Sequence, residues 1–222
     1  MFTAQDVMKL REITGVGMMD CKKALIETDG NMDKAVEYLR EKGIATAAKK
    51  SSRIAAEGTV DCYIHMGGKV GVMIEVNCET DFVGRSDKFK EFVHDLTLQI
   101  AAYKPSVIRV EELDPADVEN ERKIAREQIK NDPKLANKPE NVINNIIEGR
   151  LNNYYKEVVL LEQTFCKDPS KTIKQYLNET IASIGEKIDI RRFVRYEMGE
   201  GLEKRQNNLA DEVSEQIAKL QK

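Results

Sequence analysis

The sequence predicts an α+β fold, because two different apolar periods occupy separate parts of the chain. Residues 3–43 carry short apolar stripes at helical spacing, interrupted by Gly15, Gly17 and Gly30. From Thr59 the pattern changes to alternation: Val60, Cys62 and Ile64 on one run, then Val70, Val72, Ile74, Val76 and Cys78 on the next. Between residues 114 and 163 the helical period returns, broken once at Asn131-Asp132-Pro133. Helical and alternating runs that are segregated in this way fit helices packed on an antiparallel sheet.

Each element follows from local chemistry. The first helix carries Val7, Leu10 and Ile13 and stops at Gly15-Val16-Gly17. The second runs from about Met18 to Thr28, with Cys21, Ala24 and Leu25 inward, and stops at Asp29-Gly30. The third takes Asn31 as N-cap, buries Met32, Ala35, Val36 and Leu39, and closes on Gly43 at C′. Residues 45–57 are small and basic and read as a linker with some helical character, in which Lys49, Lys50 and Arg53 are solvated or touch phosphates. In the hairpin that follows, both apolar sets face one side if Met66-Gly67-Gly68 is a three-residue loop, pairing His65 with Lys69 and Cys62 with Val72. A third strand is expected at 187–197, with Ile188, Ile190, Val194 and Tyr196 on one face, and covering helices at about 87–102 and 171–184.

Asp114-Pro115, a cap followed by a proline at N1, starts a helix that runs to about Lys130. Pro139 starts another through about Glu162, with Val142, Ile146, Tyr154, Val158 and Leu161 as its stripe. The two make an antiparallel hairpin that projects from the core. Leu209, Val213, Ile217 and Leu220 mark a final amphipathic helix. The implied organisation is a three-helix bundle (1–44), linker (45–57), core hairpin and helix (58–113), helical hairpin (114–163), core helix and third strand (164–201) and C-terminal helical module (202–222).

Composition narrows the function. The 222 residues are 41% hydrophobic and 33% charged, as in a charge-rich globular chain rather than a disordered one. A formal net charge of -3 argues against polyanion binding as the main activity. The start, Met1 to Asp6, has neither a signal peptide's basic-then-apolar order nor a transit peptide's Arg-rich bias, and no apolar run reaches membrane-spanning length. A cytoplasmic protein is expected, with Cys21, Cys62, Cys78 and Cys166 as reduced and mostly buried thiols.

Little in the chain suggests catalysis or metal binding. The phosphate-loop, dinucleotide, metalloprotease and nucleophile-elbow signatures are all missing. Cys62 and His65 have a metal-like spacing, but residues three apart on a strand point to opposite faces. Glu79 and Asp81 are nearby carboxylates of a kind that is usually solvated. The stronger signal is apolar. The alternation stops at Cys78, and Thr80, Asp81, Phe82 and Val83 follow beyond the strand, where Phe82 either folds back into its own core or probes another molecule. Met18 and Met19 are adjacent, so both cannot face the bundle well, and thioethers suit a partner surface.

Together these segments resemble the bacterial elongation factor Ts family, nucleotide exchange factors for the GTPase elongation factor Tu. One long signature is Leu10-Arg11 followed by Thr14-Gly15-Val16-Gly17-Met18-Met19-Asp20-Cys21-Lys22-Lys23-Ala24-Leu25, and the other is Glu75-Val76-Asn77-Cys78-Glu79-Thr80-Asp81-Phe82-Val83. Glu148-Gly149-Arg150, Lys167 to Thr172 and Arg195 to Gly201 also match. The resemblance implies a ubiquitin-associated-like N-terminal bundle and no enzymatic chemistry or cofactor. It also implies binding to elongation factor Tu in its GDP-bound and nucleotide-free forms. It assigns Thr80, Asp81, Phe82 and Val83 to dislodging the GTPase's magnesium ion, and Arg11, Met18 and Met19 to an N-terminal contact on the same partner. The C-terminal helix is expected to touch that partner too. Only one hairpin-plus-strand set is visible, as in the short form of the family, some members of which work as homodimers. The competing readings are a ubiquitin-binding module resting on the first forty-odd residues, an RNA-binding ribosome accessory protein using Lys49, Lys50 and Arg53, and an enzyme using Glu79 and Asp81.

Overall fold

A computed structural model of the chain describes residues 2–136 and 138–203. It is an α+β structure. Three helices open it: α1 (Ala4–Thr14), α2 (Met18–Glu27) and α3 (Met32–Lys50). Thr3 and Asp6 form a capping box on α1, and Gly15 closes it at φ 64°, in the left-handed region that favours glycine. Val7, Leu10, Cys21, Ala24, Leu25, Ala35 and Leu39 make a small core of their own, while Ile13, expected in that stripe, is exposed.

Gly43 is not a C′ residue. Asn31 caps α3 as expected, by accepting from the Lys34 amide, but the helix runs on to Lys50. Gly43 instead lies where α3 crosses α8 (Ile173–Ile184), and a Cβ there would be 3.5 Å from that of Ala182. Its smallness serves helix packing, so the expected linker is helical for its first six residues, 45 to 50.

The sheet is antiparallel, in the order β1 (Glu57–His65), β2 (Val70–Cys78), β3 (Ile188–Glu197). Its hairpin register differs from the expected one. His65 pairs with Val70 and Cys62 with Met73 across a four-residue loop, Met66–Lys69, in which Met66, Gly67 and Gly68 all have positive φ. A one-residue change of register flips a strand's side chains. Val60, Cys62 and Ile64 therefore point away from the core, and Thr59, Asp61 and Tyr63 lie opposite the buried Val76, Ile74 and Val72.

The third strand flips as well, part-way along. Glu75 pairs with Arg192 but Val76 pairs with Ile190, so Arg191 is an extra residue in a β-bulge. Ile188 and Ile190 are buried, whereas Val194 and Tyr196, expected on the same face, are exposed and Phe193 packs on the core in their stead. Glu75 secures the bulge by accepting from both Arg191 (2.8 Å) and Arg192 (2.6 Å). These bonds, Arg191's first, hold its carboxyl below the usual range.

On the core face, α5 (Asp87–Tyr103) contributes Phe89, Phe92, Val93, Leu96 and Ile100, joined by Ile173 and Ile181 of α8. Helices α6 (Pro115–Asn131) and α7 (Glu140–Val158) form the hairpin around a separate apolar seam. Asp114 and Pro115 open α6 as expected. In α7 the buried residues are Ile147 and Leu151; of the expected stripe of Val142, Ile146, Tyr154, Val158 and Leu161, Ile146 packs half-buried against that seam. The helix ends at Val158, and Leu160–Glu162 is a separate 3-10 turn. The C-terminal helix expected from Leu209, Val213, Ile217 and Leu220 lies outside the described residues. Among the described residues no helix is long and apolar enough to cross a membrane.

Candidate functional site

Strand β2 ends at Cys78, where the alternation stops, and a five-residue helix, α4 (Asp81–Arg85), begins almost at once. Thr80 is its N-cap and accepts from the Val83 amide. The tetrapeptide expected on a loop thus occupies a capped helical turn. Its four side chains have different surroundings. Val83 packs on the main core, and Asp81 pairs with Arg85 at 3.1 Å. Phe82 is 83% exposed, so it does not plug its own core.

The backbone around Phe82 is held firmly. Glu186, in the connection between α8 and β3, accepts from the Glu79 amide (3.1 Å), the Thr80 amide (3.0 Å) and the Thr80 hydroxyl (2.7 Å). Glu79 reciprocates, accepting from the Lys187 amide (2.6 Å) and from Arg53 (3.2 Å). The Lys187 amide and then Arg53 hold the Glu79 carboxyl below its usual range, so it stays charged. The Cys78 thiol donates to the Thr80 carbonyl at 3.1 Å.

Two glycines let the turn lie against β1. Gly84 is buried with Gly58 beneath it, and a Cβ at Gly84 would be 3.1 Å from the Gly58 carbonyl oxygen. Gly58 itself has φ 139°, and a Cβ there would be 2.1 Å from the Val76 oxygen. No other residue could occupy position 58 without moving the strand.

Met18 and Met19 open α2, 39% and 75% exposed, and Arg11 is exposed on the last turn of α1. A hydrogen bond links this region to the first one. Lys88, on the first turn of α5, donates to the Gly15 carbonyl at 3.3 Å. Gly15 is three residues before Met18, and Lys88 six after Phe82. Burial lowers the Lys88 pKa.

The basic linker residues also have internal partners. Lys50 bonds the Gly185 carbonyl at the end of α8, and Arg53 is bound to Glu79. Sequence reasoning missed Glu186 and Gly58 altogether. A glycine two residues before an alternating run was a readable sign of close backbone approach. Nothing local marked Glu186. Among the described residues no group of three or more His, Cys, Asp or Glu side chains could hold a metal ion.

The family model for elongation factor Ts matches residues 19–200. Elongation factor Ts of Desulforamulus reducens is 56% identical over 215 residues, covering 97% of both chains. That of Heliobacterium modesticaldum is 53% identical over 219 residues, 99% of this chain and all of the relative. That of Geobacter sulfurreducens is 53% identical over 212 residues, 96% of each. The chain belongs to the elongation factor Ts family. The matched span contains both the Phe82 turn and most of α2, beginning at Met19.

Proposed function

We propose that this chain, a guanine-nucleotide exchange factor of polypeptide elongation, accelerates GDP release from elongation factor Tu by inserting Phe82 beside the magnesium and phosphate site. The exposure of a large aromatic on a rigidly capped turn supports this reading most. Thr80 acts inward, as cap and Glu186 partner, while Asp81 and Phe82 face outward and Val83 ties the turn to the core. Arg11, Met18 and Met19 form a second contact on the same GTPase. The chain works in the cytoplasm by binding the GDP-bound and nucleotide-free partner, and no covalent bond is made or broken.

Exchange requires tighter binding to the nucleotide-free partner than to the loaded one, and the coupling is reciprocal. A thousandfold loss of nucleotide affinity corresponds to about 4 kcal/mol. Burying one phenylalanine gives roughly 1.5–3 kcal/mol. Phe82 is therefore the wedge, and the N-terminal bundle and core hold the partner in the distorted state. Phe82→Ala should slow release of fluorescent GDP from elongation factor Tu by roughly tenfold or more. An unchanged rate would sink the reading. Met18→Ala with Met19→Ala should instead raise the concentration of factor needed for half-maximal exchange.

We also infer a homodimer. The observation favouring it is a sheet face that no described element covers, where Cys62, Met73 and Val194 lie in one cross-strand row and Ile64, Gly71 and Tyr196 in the next.

A further inference from the structure

A wedge transmits force only if its base does not yield. The base of the Phe82 turn is fixed by the connection at residues 185–187, more than a hundred positions away in sequence. The two segments are joined reciprocally: Glu186 accepts from the backbone of Glu79 and Thr80, and Glu79 accepts from the backbone of Lys187. The same connection is tied to the end of the N-terminal region, because Lys187 Nζ donates to the Arg53 carbonyl at 2.8 Å and Lys50 reaches the Gly185 carbonyl.

We propose that Glu186 is a positioning residue for nucleotide exchange, which fixes the attitude of the Phe82 turn by accepting three hydrogen bonds from Glu79 and Thr80. A carboxylate takes several donors at once, and bonds to a charged acceptor are stronger than neutral ones. Phe82 touches the partner and Glu186 acts only through it. The inference rests on the Phe82 reading above.

The test follows fluorescent GDP release from elongation factor Tu over a range of factor concentrations, separating the plateau rate from the half-saturating concentration. Glu186→Ala should lower the plateau roughly fivefold to tenfold and move half-saturation by less than about twofold, because the anchoring surfaces are untouched. Glu186→Gln, which still accepts from the backbone amides, should recover most of the plateau. In a Phe82→Ala background, Glu186→Ala should have no further effect, since a positioning residue loses its role with the residue it positions. If Glu186→Ala does not fold, Glu186→Asp replaces it, being too short to reach all three donors.

The outcomes separate the two ideas. A Phe82→Ala plateau equal to that of the wild type would overturn the wedge. A slowed Phe82→Ala with a wild-type plateau for Glu186→Ala, or losses that multiply in the double variant, would overturn the positioning role alone.

Discussion

At the scale of single residues, the candidate site depends on where two glycines lie as much as on Phe82. Position 58 combines φ 139° with a space closed by the Val76 carbonyl. Gly58→Ala should destabilise the fold by roughly 3 kcal/mol through strain and overpacking, read as a lower midpoint in urea unfolding. A midpoint equal to that of the wild type would show that the strand moves freely there, and that the seat of the Phe82 turn is soft. Phe82 itself was legible because an alternating run ended just before it, which puts a residue outside the sheet whatever the register. Its exposure was not legible, since plug and probe have the same local sequence. Glu186 was illegible for a related reason: its three donors come from a segment that only the fold brings near.

The element scale shows where sequence patterning misleads. The starts of α3 and α6 were read well because caps such as Asn31 and Asp114 are local hydrogen-bonding devices, whereas the end of α3 was not, because Gly43 serves packing on α8. Strand faces were not, because a positive-φ loop at Met66–Lys69 and a bulge at Arg191 reset the phase of an otherwise sound alternation. Charges secure the bulge and also the far end of β3. At the loop end, Glu197 of β3 bonds Lys104 and accepts from Arg195 at 2.8 Å. Lys104 first, then Arg195, lowers its pKa from 4.5 to about 2. A folded-state pKa below the unfolded value stabilises the fold above about pH 4.5, and that contribution disappears as the pH falls toward 2. Glu197→Gln should therefore melt at a lower temperature than the wild type at pH 7, with the gap closing between pH 4.5 and about 2. A gap independent of pH would rule out this pair as the cause.

At the scale of the whole molecule, two surfaces connect the parts, and each carries a testable consequence. The N-terminal bundle is held to the core along α3 and α8, with Gly43 facing Ala182 and Arg40 3.6 Å from Glu179. Gly43→Leu should push those helices apart and so separate Met18 and Met19 from the Phe82 turn. The half-saturating concentration for exchange should then rise by roughly tenfold, a loss of about 1.4 kcal/mol. An unchanged value would mean that the two contacts act independently.

The second surface is the face of the sheet that no described element covers, which is apolar only because the register is out of phase with the simple alternation. With Val60, Cys62 and Ile64 turned outward, they join Met73, Val194 and Tyr196 (72% exposed) on the side away from α5 and α8. A monomer seldom leaves so continuous an apolar sheet face in water. A second copy is a natural cover for it, because a two-fold axis through the face sets each patch against its own equivalent. The rows Cys62–Met73–Val194 and Ile64–Gly71–Tyr196 would form the centre, with the Glu75–Arg191–Arg192 cluster toward the rim. Sedimentation equilibrium at micromolar concentration should give twice the monomer mass for the wild type and the monomer mass for Met73→Asp. Both residues of that substitution are tolerated by the protomer's own core, since Met73 lies outside it. A wild-type chain that sediments as a monomer would remove the dimer. The Phe82 turn follows the opposite end of β2 from the hairpin loop, beyond Cys78, so Met73→Asp also tests whether exchange needs one protomer or two.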